Sequence, residues 1–123
     1  MAKRHRVAHL GVGTRGTVHA NAFLELADRY ELVGLCDLRR DQVEAYAAAK
    51  GLPSTILYND AETMLRETRP DVFCFVTQPN VSRLMFTELS VKYGVKAIAL
   101  EKPMATSLPE ALGMIHLCRE HGI

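Results

Sequence analysis

No apolar run in this sequence approaches the ~18 residues that a membrane-crossing helix requires. Charge of one sign is also missing. Fifteen Lys and Arg stand against 14 Asp and Glu, for a formal net charge of +1. That balance indicates neither nucleic acid nor an acidic membrane as a partner. Lys3, Arg4 and Arg6 gather near the start, ahead of a short apolar run that contains His9. No small-residue cleavage site follows before Arg15, so the stretch does not read as a secretory signal. Cysteine is scarce: Cys36, Cys74 and Cys118 are an odd number without metal-ligand spacing. Cys36 and Cys74 fall in apolar segments and read as small buried hydrophobes. A reducing, cytoplasmic setting is the expectation. The five histidines form no ligand pattern with cysteine or carboxylate, and no metal site is expected. Internal repeats, linkers and low-complexity tracts are absent. The 123 residues suffice for one domain with a real core.

What is present begins at residue 6. The apolar run Val7 to Val12 reads as a buried strand and leads into Gly11, Gly13 and Gly16, spaced G-x-G-x-x-G. A helical pattern follows, with Val18, Ala22, Phe23 and Leu26 on one face. Strand, glycines, helix is the order of a dinucleotide-binding turn. In such a turn Gly11 allows the sharp exit from the strand. Gly13 lets backbone approach a pyrophosphate, and Gly16 lets helix and strand pack closely. The intervening Val12, Thr14 and Arg15 complete the phosphate loop, whose helix N-terminus favours anions. Three glycines alone could be a surface turn. The confirming feature is an acid about 20 residues on, at the end of the next strand. Asp37 ends the apolar segment 31–36 and can accept both ribose hydroxyls of an adenosine, with Leu38 and Arg39 beside it. Alternatively, Asp37 caps the next helix.

Strand and helix patterns alternate to the end. Strands are expected at 6–11, 31–36, 55–58, 71–76 and 96–100. Helices are expected at 15–28, 40–50, about 60–68, 81–93 and 108–120. Asn59 with Glu62 reads as a capping box, as does Ser107 with Glu110, and Asn80 reads as the cap of the fourth helix. Alternation of this kind predicts an α/β fold, a doubly wound (Rossmann) parallel sheet of strand order 3-2-1-4-5 with right-handed crossovers. The ligand crevice then lies at the strands' C-terminal edge.

Two further loops reach that edge: Thr77-Gln78-Pro79-Asn80 after the fourth strand and Glu101-Lys102-Pro103 after the fifth. Proline biases Lys102 toward extended backbone. A lysine there is a compact donor able to hold or pass a proton. Alone, the motif could be a charged strand end followed by a turn.

Taken in order, Gly11 to Gly16, Cys36-Asp37, Thr77 to Asn80 and Glu101 to Pro103 make the chain resemble the N-terminal domain of the Gfo/Idh/MocA oxidoreductase family. The resemblance covers essentially all of the sequence. It implies a nicotinamide cofactor and oxidation or reduction of a sugar, polyol or related carbonyl compound. It implies that Lys102 lies near the nicotinamide and the reacting oxygen, assisting proton transfer. Glu101 and the Gln78–Asn80 loop would line the nicotinamide ribose, with Thr77 also among the cofactor-binding residues. Two departures matter. The family often places histidine three residues after the asparagine, where this chain has Arg83, free to reach a phosphate or to sit on the helix surface. The family also carries a C-terminal substrate domain, and Gly122-Ile123 reads as the exit toward a sixth strand. The expectation is therefore a cofactor domain truncated before that strand, with small-molecule substrate bound only when the missing domain is present. The fifth strand would then be an open edge inviting self-association. Asp37 favours NAD. Arg39 and Arg40 keep NADP open. The competing reading is a nucleotide-binding sensor or regulatory module without catalysis.

Overall fold

Each of the five apolar segments becomes a strand, and all five pair in parallel. The computed structural model describes residues 2–123. In chain order it runs β1 (His5–Leu10), α1 (Thr14–Glu25), β2 (Tyr30–Cys36), α2 (Arg40–Ala49), β3 (Leu57–Tyr58), α3 (Ala61–Thr68), β4 (Val72–Phe75), α4 (Arg83–Lys92), β5 (Ala97–Leu100) and α5 (Leu108–His121). The sheet order is β3-β2-β1-β4-β5, the Rossmann order expected from the alternation. The order reverses between β1 and β4. The loops after both strands therefore diverge at the C-terminal edge and leave a crevice between them.

The central strands lack polar alternation because both of their faces are covered. On one face Ala8, Leu10, Phe73 and Phe75 pack against Met64 and Leu65 of α3 and Phe86 of α4. On the other, Val12 and Leu35 meet Val43 of α2. Phe73, Phe75 and Phe86 form a mutually tilted cluster with centroids 5.0–6.1 Å apart. Each such ring contributes roughly 1.5–3 kcal/mol by leaving water. Cys36 and Cys74 lie in this core, where burial pushes their thiols up to about 11 and about 12. They are packing groups and not nucleophiles.

The ends of several elements differ from the sequence expectation, for local reasons. Residues 54–56 form a 3₁₀ turn, and β3 is left with Leu57 and Tyr58. Asp60, not Asn59, caps α3, its Oδ1 accepting from the Thr63 amide at 2.7 Å. Asn59 instead accepts from Arg40 Nη1. Ser82, not Asn80, caps α4 through the Met85 amide, so this helix starts two residues later. In both cases two eligible cap residues stand close together, and the backbone path selects the second. Ser107 caps α5 as its spacing predicts, accepting from the Glu110 amide, and Gly122 closes the helix at φ 70°.

Candidate functional site

The tight turn after β1 depends on two close approaches. Gly11 has φ +106°, and a Cβ there would strike the Val76 carbonyl of the neighbouring loop. A Cβ on Gly16 would strike the Gly11 carbonyl, so α1 sits on the turn only because residue 16 is glycine. Gly13 is different. A Cβ there would meet only the Arg39 guanidinium, at 3.4 Å, so the space above it is open. Gly13 is also the N-cap of α1, and no side chain caps the helix. Its first-turn N–H groups face the crevice with the positive end of the helix dipole behind them. An open approach over Gly13 and an uncapped helix start fit a dinucleotide's diphosphate.

Beneath the turn lies His9, fully buried on β1. Its Nε2–H donates to the Gly11 carbonyl at 2.6 Å and pins the turn, while Nδ1 has no partner. Burial drives the imidazole down to about 4, so it is neutral near pH 7.

Asp37 follows β2 and is 8% exposed. Its Oδ2 accepts from the Val12 amide at 2.8 Å, tying it to the glycine turn. Oδ1 accepts from the Arg39 amide at 2.9 Å, and the Arg39 guanidinium closes on both oxygens at 3.2 Å. Burial pushes this carboxyl up, but the Arg39 side chain and the two amides outweigh burial and hold it below the ordinary carboxylate value. Asp37 does not cap α2, whose N-cap is Arg39. The two arginines separate: Arg39 lies on Asp37, whereas Arg40 turns away to Glu44 and Asn59.

At the other end, Glu101 leaves β5 and is gripped by α1. Its Oε2 accepts from His19 Nε2 at 3.0 Å and from Arg15 Nε at 3.3 Å, and its Oε1 accepts from the Lys102 amide. The His19 hydrogen bond first, then the Lys102 amide and Arg15, bring the carboxyl down to about 2. Glu101 is thus a fixed anion that links the glycine helix to the lysine loop. The Lys102–Pro103 bond is cis.

These residues border one crevice of about 940 Å³, which reaches from Asp37 and Leu38 past Gly13 and Gly16 to Thr77, Gln78, Pro79, Glu101 and Lys102. Of the candidates named from sequence, Val12, Arg40 and Asn80 are outside its lining. Val12 buries its side chain in the α2 core and offers only its amide to Asp37. Asn80 is exposed beyond the lip. Arg83 does not sit on the helix surface, one of the two courses expected of it. It is 1% exposed, walls the crevice below the Thr77 loop, and donates Nη2 to the Thr77 carbonyl at 3.1 Å. His9, His19 and Arg83 had no motif to announce them, because their partners are backbone carbonyls or a distant glutamate. Among the described residues no group of three or more His, Cys, Asp or Glu gathers to hold a metal ion, and no helix is long and apolar enough to cross a membrane.

Fold and turn together define an NAD-binding Rossmann domain, and comparison with known proteins agrees. The family model described as "Oxidoreductase family, NAD-binding Rossmann fold" matches residues 5–123, and the chain belongs to that family, Gfo/Idh/MocA. It is 32% identical over 121 residues to D-apiose dehydrogenase of Paraburkholderia graminis, covering 98% of this chain and 31% of that protein. It is 33% identical over 118 residues to D-glucoside 3-dehydrogenase of Escherichia coli, covering 95% of this chain and 32% of that one. Among solved structures, the WlbA dehydrogenase of Bordetella pertussis, in complex with NADH and UDP-GlcNAcA, superposes with a TM-score of 0.84 at 26% identity, covering 98% of this chain and 35% of the other. The chain therefore spans about a third of the length of these relatives.

Proposed function

We propose that this domain is the cofactor half of an NAD-dependent dehydrogenase acting on a sugar, polyol or related hydroxyl/carbonyl compound, with the substrate held by residues outside these 123. One observation carries the reading. Lys102 stands on the same crevice as the open glycine turn, at the opposite end from Asp37. A dinucleotide laid along it places its adenosine ribose at Asp37, its diphosphate over Gly13 to Gly16 and its nicotinamide toward Thr77, Glu101 and Lys102. The bound coenzyme supplies hydride acceptance or donation. Lys102 then holds the substrate oxygen and takes or returns its proton. Glu101 is ill suited as the base, because its carboxyl is already committed to His19, Arg15 and the Lys102 amide. Its part is to fix the lysine loop. Asp37 favours NAD because a carboxylate there repels a 2′-phosphate. Arg39 contributes little to NADP binding while its guanidinium is engaged on Asp37. The same reading includes a cytoplasmic enzyme, and self-association of these 123 residues by themselves through the β5 edge.

The test is NAD-linked turnover of a sugar and polyol panel by the complete polypeptide. Lys102→Ala should cut turnover by about 10²–10⁴ while leaving NADH affinity within roughly fivefold, since an exposed surface cation contributes about 0–1 kcal/mol. Unchanged turnover would remove Lys102 from the chemistry. Tight cofactor binding without turnover of any substrate would favour a sensor or regulatory module.

A further inference from the structure

We propose that Arg83 biases the crevice toward the neutral, reduced nicotinamide over the cationic, oxidised one, and so sets which form of the coenzyme is held more tightly. The inference rests on the proposed reading that the nicotinamide lies at the Thr77–Lys102 end.

A guanidinium does not deprotonate in proteins, so this charge is permanent. It is also hidden, with the residue 1% exposed. Its one acceptor is the neutral Thr77 carbonyl, while Nε and Nη1 are buried without any partner. A buried cation ordinarily meets a carboxylate, because leaving one unpaired costs several kcal/mol. The acidic groups nearby are committed elsewhere. Glu101 is held by His19 and Arg15, and Glu110 by Ser82, the Thr106 amide and the first backbone amides of α4, Arg83 and Leu84, and not by the Arg83 guanidinium. Asp60 caps α3, and Glu62 pairs with Lys92 and Tyr93. Lys102 lines the same crevice and adds a second cation.

The net result is one positive charge behind the loop without a carboxylate partner, screened less than a surface charge because Arg83 is buried, whereas the Glu101 anion on the same crevice is matched by Arg15. When hydride moves, the group in the crevice whose charge changes is the ring: it loses one positive charge on reduction. Repulsion from Arg83 falls on the oxidised form alone. Nothing in this requires the guanidinium to touch the ring.

The experiment measures dissociation constants of NAD⁺ and NADH for this chain and three variants. Arg83→Gln removes the charge and keeps a donor for Thr77. It should shift the ratio of the two constants by about tenfold in favour of NAD⁺, the scale of a unit charge acting at intermediate dielectric. Arg83→Lys, which keeps the charge, should stay near the parent ratio. If Arg83→Gln does not fold, Arg83→Met, which also removes the charge and keeps most of the buried volume, should shift the ratio in the same direction. Equal weakening of both forms, or an unmoved ratio, overturns the inference and leaves the cofactor reading intact. Failure of the parent chain to bind either dinucleotide overturns both.

Discussion

Two buried charges sit at opposite ends of the crevice, and the chain treats them oppositely. Asp37 is given donors on both oxygens: the amides of Val12 and Arg39 and the Arg39 guanidinium. Arg83 is given one carbonyl and left with two nitrogens unpaired. The first charge is stabilised by the fold itself, so its geometry is set before any ligand arrives. The second is a standing electrostatic bias that only the contents of the crevice can answer. His9, between them under the glycine turn, shows a third treatment. It is buried with one partner and stays neutral. The Asp37 end is thus fixed by position, and in the inference drawn above the far end acts by potential.

The comparison breaks most easily at Asp37. Replacing it with alanine would remove the two acceptors proposed for the ribose hydroxyls and untie the Val12 amide from Asp37. NAD affinity should fall by roughly a hundredfold, about 3 kcal/mol, given ~1.5–3 kcal/mol for each hydrogen bond to a charged group. Calorimetric titration of the parent and the variant measures it. A loss under about threefold, well below a single such bond, would mean that the ribose lies elsewhere.

His9 sharpens the same comparison through pH. Its folded value, about 4, lies below the ordinary 6.5. The unfolded chain therefore binds the proton first as pH falls. His9 leaves full stability above pH ~6.5, and stability declines from there to about pH 4, by roughly 3 kcal/mol at the end of that window. Between pH 6.5 and 5 most carboxylates are still ionised, so the decline there belongs mainly to histidine. Glu101 acts lower: held at about 2, its contribution is present above its ordinary value of 4.5 and is lost as pH falls from there through about 2. Urea unfolding across pH 8 to 4 should show the upper slope in the parent and a flatter one in His9→Gln, whose amide can still donate to Gly11. Equal slopes would contradict a buried, neutral His9.

What could be read from the residues alone follows the same division. The sheet order, the glycine turn and Asp37 were legible, because a parallel sheet demands alternation and a diphosphate demands glycine where a Cβ would collide. The caps of α3 and α4 were displaced by one or two residues. Asn59-Asp60 and Asn80 to Ser82 each offer more than one eligible cap, and local propensity does not choose between them. Arg83 was visible as a departure at its position, but its burial was not. That burial comes with the Thr77 loop, whose carbonyl the guanidinium meets, and is information held in tertiary packing. His19 and Glu101 are 82 residues apart and meet only because α1 and β5 converge on one edge.

The most direct measurement is a crystal structure of this chain grown with NAD. The account requires the diphosphate against the Gly13 to Gly16 amides, ribose hydroxyls on Asp37, and the nicotinamide toward Thr77 and Lys102. Dinucleotide bound on another surface, or bound in the crevice with its adenosine at Lys102 and its nicotinamide at Asp37, would contradict it.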